Sequence, residues 1–214
     1  MRRVILISML VASALPGAVV LDRVAVVVGK RAIKLSDIER DIRVTAFLNR
    51  AAVDTSPAAR CKSAERLVDQ TVIRDEIATG DYERATDQEA AGLLSNLRRD
   101  RFGGSEARLR QDLTKYGVTQ DQVTEALRWQ LTVLRFIEER FRPAVMIPDE
   151  AVKAYYDQHL AELRKQNPNA SSFEALQPKI REQLASVEVD KQFDAWLTDK
   201  KQDDRVTFIK EAFE

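Results

Sequence analysis

The apolar positions along this chain follow two different periods. Near the N-terminus, the β-branched run Val24–Val28, a Gly29-Lys30 turn and a return through residues 31–34 predict a β-hairpin over residues 22–34. From residue 36 onward, apolar side chains recur at spacings of three and four, which predicts helices. Helices are expected over residues 36–50, 57–80, 87–101, 105–116, 119–141, 149–166 and 172–200.

Polar residues mark the expected helix starts, and the C-terminal tail returns to an alternating pattern. Ser36 followed by Glu39 has the form of a capping box that opens the first helix. N-caps of later helices are expected at Thr86, Ser105, Thr119 and Ser172. Residues 205–210 alternate like a strand, so we expect them to join the hairpin. The expected fold class is mostly α with a small β element, a multi-helix lobe whose N-terminal β-hairpin is joined by the C-terminal strand.

The helix expected over residues 119–141 is apolar on two faces. One stripe is expected to face the core and consists of Val123, Leu127, Leu131, Leu134, Ile137 and Phe141. At about 100° per residue, Trp129, Val133 and Phe136 fall on roughly the opposite side. Such a helix is either sandwiched between layers, here by the last helix, or it presents one face to a partner.

The apolar stripe of the last expected helix changes face near its middle. Its first part places apolar side chains on one face, namely Phe173, Leu176, Ile180, Leu184 and Val187, and its second part places Val189, Phe193 and Trp196 on the other. This pattern predicts a strut that joins two lobes, with an apolar crevice where they meet. The predicted polypeptide-binding residues are Trp129, Val133, Phe136, Phe193 and Trp196.

The first eighteen residues have the pattern of a secretory signal peptide. A basic start at Arg2 and Arg3 precedes a short apolar run and a small-residue segment, and cleavage is expected after Ala14 or Ala18. The apolar run is shorter than the about 20 residues that a membrane-spanning helix needs. We therefore expect residues 1–18 to be removed and the mature protein to be periplasmic, with no membrane span.

Composition narrows the possible chemistry. The 34 basic and 34 acidic residues cancel and are intermixed, so no phosphate-neutralising stripe is present and no nucleic-acid partner is expected. His159 is the only histidine and Cys61 the only cysteine, and glycine-rich phosphate loops and paired-cysteine motifs are missing. His159 is expected on a polar surface and Cys61 as an incidental thiol. No catalytic residue, metal or cofactor is expected.

Several motifs together resemble the SurA-like periplasmic chaperones, at the N-terminal domain of that family. The resemblance rests on residues 21–30 followed by Ser36-Asp37-Ile38, on Tyr116-Gly117-Val118-Thr119 and on Ile147-Pro148-Asp149-Glu150 with Tyr155-Tyr156. It implies a chaperone domain over residues 19–142. Residues 143–214 would form a linker helix, a long terminal helix and a closing strand of the same module.

The chain departs from the family pattern after Tyr156, where a parvulin-type prolyl isomerase domain would be expected. The sequence continues instead into the terminal helix, and it lacks the histidines of a parvulin active site. The resemblance therefore implies an ATP-independent holdase without enzyme activity that binds unfolded polypeptides, chiefly outer-membrane protein precursors. Two alternatives remain open: a dedicated envelope assembly subunit with one partner, and a prolyl isomerase with an unrecognised site.

Overall fold

The computed structural model describes residues 22–166 and 172–213. The signal peptide predicted for residues 1–18 lies outside the described residues. In chain order the elements are β1 Val24–Val28, β2 Arg31–Lys34, α1 Leu35–Asn49, α2 Pro57–Thr79, α3 Asp87–Phe102, α4 Glu106–Tyr116, α5 Gln120–Phe141, α6 Asp149–Gln166, α7 Phe173–Asp203 and β3 Val206–Phe208, with short 3-10 turns at Arg142–Ala144 and Lys210–Ala212. The mostly helical fold with a small β element is confirmed.

The sheet joins the two ends of the described chain. Its strand order is β2-β1-β3, and both pairings are antiparallel. Val26 lies opposite Phe208, and the Ile209 N–H donates to the carbonyl of Ala25 at 2.9 Å. Gly29 in the hairpin turn has φ +56°, and its N–H donates to the carbonyl of Asp204 at 2.8 Å. The expectation that the C-terminal strand completes the hairpin is therefore confirmed.

One expected helix start is wrong, and the others are confirmed. The first helix begins at Leu35 with Lys34 as its N-cap, because β2 runs directly into α1. The Lys34 N–H donates to the carboxylate of Asp37 at 3.0 Å, whereas Ser36 turns back to the carboxylate of Asp22. The expected hydroxyl caps accept backbone N–H groups at the starts of their helices, at Thr86, Ser105, Thr119 and Ser172.

Buried apolar side chains form three clusters. The main cluster lies between the sheet, α1, α2, the second half of α5 and the second half of α7, and includes Phe136, Phe141 and Val189. A second cluster packs α1 against α3, α4 and the start of α5. The buried residues of the third cluster, Val152, Tyr156, Leu176 and Ile180, come from α6 and the first half of α7. None of the helices in the described parts of the chain is long and apolar enough to cross a membrane.

The two apolar faces of α5 are used differently from the expectation. Phe136, placed on the second face, is fully buried, whereas Leu134 from the expected core stripe is 60% exposed. From the expected core stripe, Val123 and Leu127 belong to the second cluster, and Ile137 and Phe141 belong to the main cluster. Leu134 lies between these two groups and meets neither cluster, so its own assignment to the core is wrong.

The burial difference between these neighbours gives a stability prediction. We expect Phe136→Ala to lower the free energy of unfolding by about 3–5 kcal/mol, since it removes a fully buried ring and leaves a cavity. Leu134→Ala, two residues away on the same helix, should change it by about 0.5 kcal/mol or less. Urea denaturation of both variants is the measurement. Equal destabilisation by the two substitutions would contradict this packing.

Glu89 at the start of α3 gives a pH prediction. Its carboxylate accepts the side chain of Arg135 on α5 and the N–H and hydroxyl of Thr86, at 2.8 and 2.9 Å. These hydrogen bonds, that of Arg135 first, lower the pKa of Glu89 from 4.5 to about 2.

Because the folded pKa lies below the unfolded one, the stabilisation by Glu89 is present above about pH 4.5 and is lost as the pH falls towards 2. We expect carboxyl NMR titration of Glu89 to give a midpoint near 2 and Arg135→Gln to raise it. A wild-type midpoint near 4.5 would show that the Arg135 contact is absent in solution.

Candidate polypeptide-binding site

The five side chains predicted to bind polypeptides converge on the main cluster. Trp129, Val133 and Phe136 reach this cluster from α5, and Phe193 and Trp196 reach it from α7. Phe136 is fully buried and has no surface that a polypeptide could contact in this conformation. The other four are half-buried at the edge of the cluster, and their binding role stays a prediction.

Aromatic contacts hold α7 against α5. The ring of Trp196 lies 5.4 Å from that of Phe136 and 5.8 Å from that of Phe141, and Phe193 also lies 5.8 Å from Phe141. Such pairs add about 0.5–1.5 kcal/mol each beyond the area they bury. Of the two arrangements that the sequence left open for α5, the structure favours the packed one: α7 contacts Phe136 on the second face, and Arg74 of α2 lies over Trp129.

Trp129 lies outside this aromatic contact network and forms one wall of a separate cavity. The cavity has a volume of about 340 Å³ and opens between α2, the loop that follows it, and α5. The guanidinium of Arg74, on α2, lies 3.9 Å from the centre of the Trp129 ring. Desolvation lowers the pKa of Arg74 from its usual value, and Arg128 and Arg31 add to this effect while Glu125 opposes it.

A second cavity lies where α7 passes from the third cluster to the main cluster. Its volume is about 380 Å³, and its lining residues are Arg142, Val145, Ile147, Gln177, Pro178, Arg181, Glu182 and Ala185. We call this cavity the junction crevice. Val145 packs against the main cluster and Ile147 against the third, so the crevice spans both. The expected change of face along the last helix is thus confirmed, and a crevice is present at the expected place.

Val187 departs from the expected stripe. It was placed on the buried face with Ile180 and Leu184, but it is 60% exposed. The third cluster covers that face of α7 only as far as Leu184, and the main cluster then takes the opposite face from Val189 onward. Val187 therefore stands at the changeover with neither cluster beside it, and its assignment to the buried face is wrong.

Charged groups surround the junction crevice and tie its walls together. Arg142 forms an ion pair with Glu182 on α7. Arg181 donates to the carbonyl of Ile147 at 2.6 Å and pairs with the carboxylate of Asp149. These contacts link the segment between α5 and α6 to α7, so the walls of the crevice are held by both backbone and side-chain partners.

Among the described residues, no group of three or more His, Cys, Asp or Glu side chains could hold a metal ion. His159 stacks on Tyr155 at 4.1 Å, and its Nδ1 lies 3.0 Å from the Tyr155 carbonyl oxygen, as a hydrogen-bonded surface histidine would. Cys61 is an exposed free thiol on the first turns of α2.

Apart from Trp129, the residues that line the two cavities were not among those predicted from the sequence. Val145, Met146 and Ile147 are three consecutive apolar residues between two prolines, Pro143 and Pro148. An apolar run in so short a linker was the available signal for the junction crevice. Arg74 gave no comparable signal, because its position over Trp129 depends on how α2 packs against α5.

Comparison with known proteins adds no family. No protein-family model matches the chain, and a search of the curated proteins gives no match. The similarity to SurA-like chaperones therefore stays a prediction that rests on the motifs described above.

Proposed function

We propose that this protein is an ATP-independent periplasmic holdase that binds apolar segments of unfolded polypeptides, chiefly outer-membrane protein precursors, in the junction crevice. The observation that carries the proposal is an apolar crevice with charged edges between two separately packed clusters. The motif resemblance to periplasmic chaperones and the predicted export signal support the same function and compartment.

The lining of the junction crevice suits weak contact with many sequences. Its apolar side chains, Val145, Ile147, Pro178 and Ala185, offer a surface for aliphatic or aromatic groups without fixing their geometry. Met146, between two of these residues in the sequence, is 89% exposed and adds an adaptable thioether. Broad specificity follows, because burial of apolar area does not depend on direction.

The charged edge limits what the crevice retains. Arg142, Arg181 and Glu182 present both signs of charge around the apolar lining. Backbone and polar side chains of an extended polypeptide find hydrogen-bond partners there, whereas a folded protein with a polar surface has little apolar area to bury. Unfolded polypeptides are then bound in preference to folded ones without any nucleotide, because they expose the apolar area that the crevice can bury.

A single charge placed in the crevice tests the proposal. We expect wild-type protein to slow aggregation of an unfolded β-barrel outer-membrane protein at near-stoichiometric ratios, followed by light scattering. Val145→Asp should remove most of this effect, because an apolar client segment would have to desolvate the new carboxylate. Val145 is half-buried in a linker, so circular dichroism and thermal unfolding must show that the variant stays folded.

Val53→Asp is the matched control. It makes the same chemical change at a partly exposed valine, 40% accessible, between α1 and α2, away from the crevice. This variant should slow aggregation as wild type does. Folded wild-type protein without effect on several unrelated unfolded clients would refute the holdase proposal, and binding to one folded envelope protein alone would support the assembly-subunit alternative.

A further inference from the structure

The cavity beside Trp129 has a lining that the junction crevice lacks. Four arginines face it, Arg31, Arg74, Arg84 and Arg128, together with the single carboxylate of Glu125. The remaining lining residues are Ile77, Ala78, Ala85, Trp129 and Thr132, most of them apolar. A cationic half and an apolar half therefore meet in one small cavity.

The charges of the cavity are only partly balanced by the protein. Arg31 pairs with Asp75, and Arg128 pairs with Asp87 at 2.6 Å. Among the described residues, neither Arg74 nor Arg84 forms an ion pair with a carboxylate; Arg74 lies over the indole, and Arg84 donates to the Ile77 carbonyl at 3.4 Å. Arg31 and Arg128 are already paired, so the remaining charges are those of Arg74, Arg84 and Glu125. Together these three leave a single net positive charge facing the cavity.

That balance suits a monoanion, and the apolar lining suits an organic one. The guanidinium of Arg74 lies over the indole, and a carboxylate beside it can accept two of its N–H groups. A dianion such as phosphate would leave one charge uncompensated next to Glu125. The preferred ligand is therefore a single carboxylate with an apolar group close to it.

We propose that this cavity binds the C-terminal residue of a polypeptide, with the terminal carboxylate on Arg74 and Arg84 and the last side chain against Trp129 and Ile77. In a C-terminal residue the charge and the side chain leave the same carbon atom, so both fit within about 340 Å³. In an internal aspartate or glutamate, the carbon atom that bears the carboxylate does not also bear an apolar side chain. This inference rests on the proposed polypeptide-binding function and adds a second, end-specific contact to the crevice.

Calorimetric titration with three acetylated pentapeptides tests the proposal. The first ends in leucine with a free carboxylate, the second is its C-terminal amide, and the third is the amide with a central glutamate. We expect the free acid to bind at least tenfold more tightly than either amide. Arg74→Gln should weaken free-acid binding at least tenfold, since it removes the charge over the indole. An equimolar concentration of inorganic phosphate should not displace the peptide.

Arg110→Gln on α4 is the matched control, because Arg110 is an exposed arginine outside the cavity. It should bind the free acid as wild type does. Equal affinity for acid and amides, an unchanged affinity of Arg74→Gln, or displacement by phosphate would overturn the assignment. The aggregation assay separates the two proposals. If the wild-type protein binds the free acid but does not slow aggregation, the holdase proposal is refuted and the C-terminal binding site stands. If it slows aggregation but binds acid and amide equally, the holdase proposal stands and the C-terminal binding site is refuted.

Discussion

The 31-residue helix α7 has to bury opposite faces at its two ends, and the rest of the molecule is arranged around that requirement. Its first half packs on α6 through Leu176 and Ile180, and its second half enters the main cluster through Val189. The two partners, α6 and the main cluster, lie on opposite faces of this continuous helix. The third cluster and the main cluster therefore meet beside the helix, where one contact ends and the other begins. The junction crevice follows directly from this change of face.

The C-terminal end of α7 is fixed more firmly than its start. Trp196 and Phe193 contact the aromatic rings at the end of α5, and the carbonyl of Asp204 accepts the N–H of Gly29 in the hairpin turn. β3 follows α7 and pairs with β1, so the end of the helix is anchored to the sheet. In the third cluster, α6 is the helix that packs against the start of α7. Fewer elements therefore hold this end of α7 in place.

Local sequence signals were sufficient to predict the helices and strands, whereas tertiary packing decides which of their side chains are buried. The hairpin turn at Gly29 and the cap at Thr119 depend on neighbours within a few residues, so they could be predicted. Periodicity also showed that α5 and α7 carry two apolar faces. It could not show which face a distant helix covers, and for that reason Leu134 was wrongly placed in the core and the burial of Phe136 was left open.

Hydrogen exchange of the protein, free and bound to an unfolded β-barrel client, tests whether the client binds in the junction crevice. Amide exchange slows where a bound client covers the backbone, so it distinguishes binding in the crevice from binding at other surfaces. We expect slower exchange on binding in the segment around Val145 and Ile147 and in the adjoining turns of α7 near Arg181, with α3 and α4 unchanged. Protection confined to α3 and α4, or none at all in a complex shown to form, would contradict this expectation.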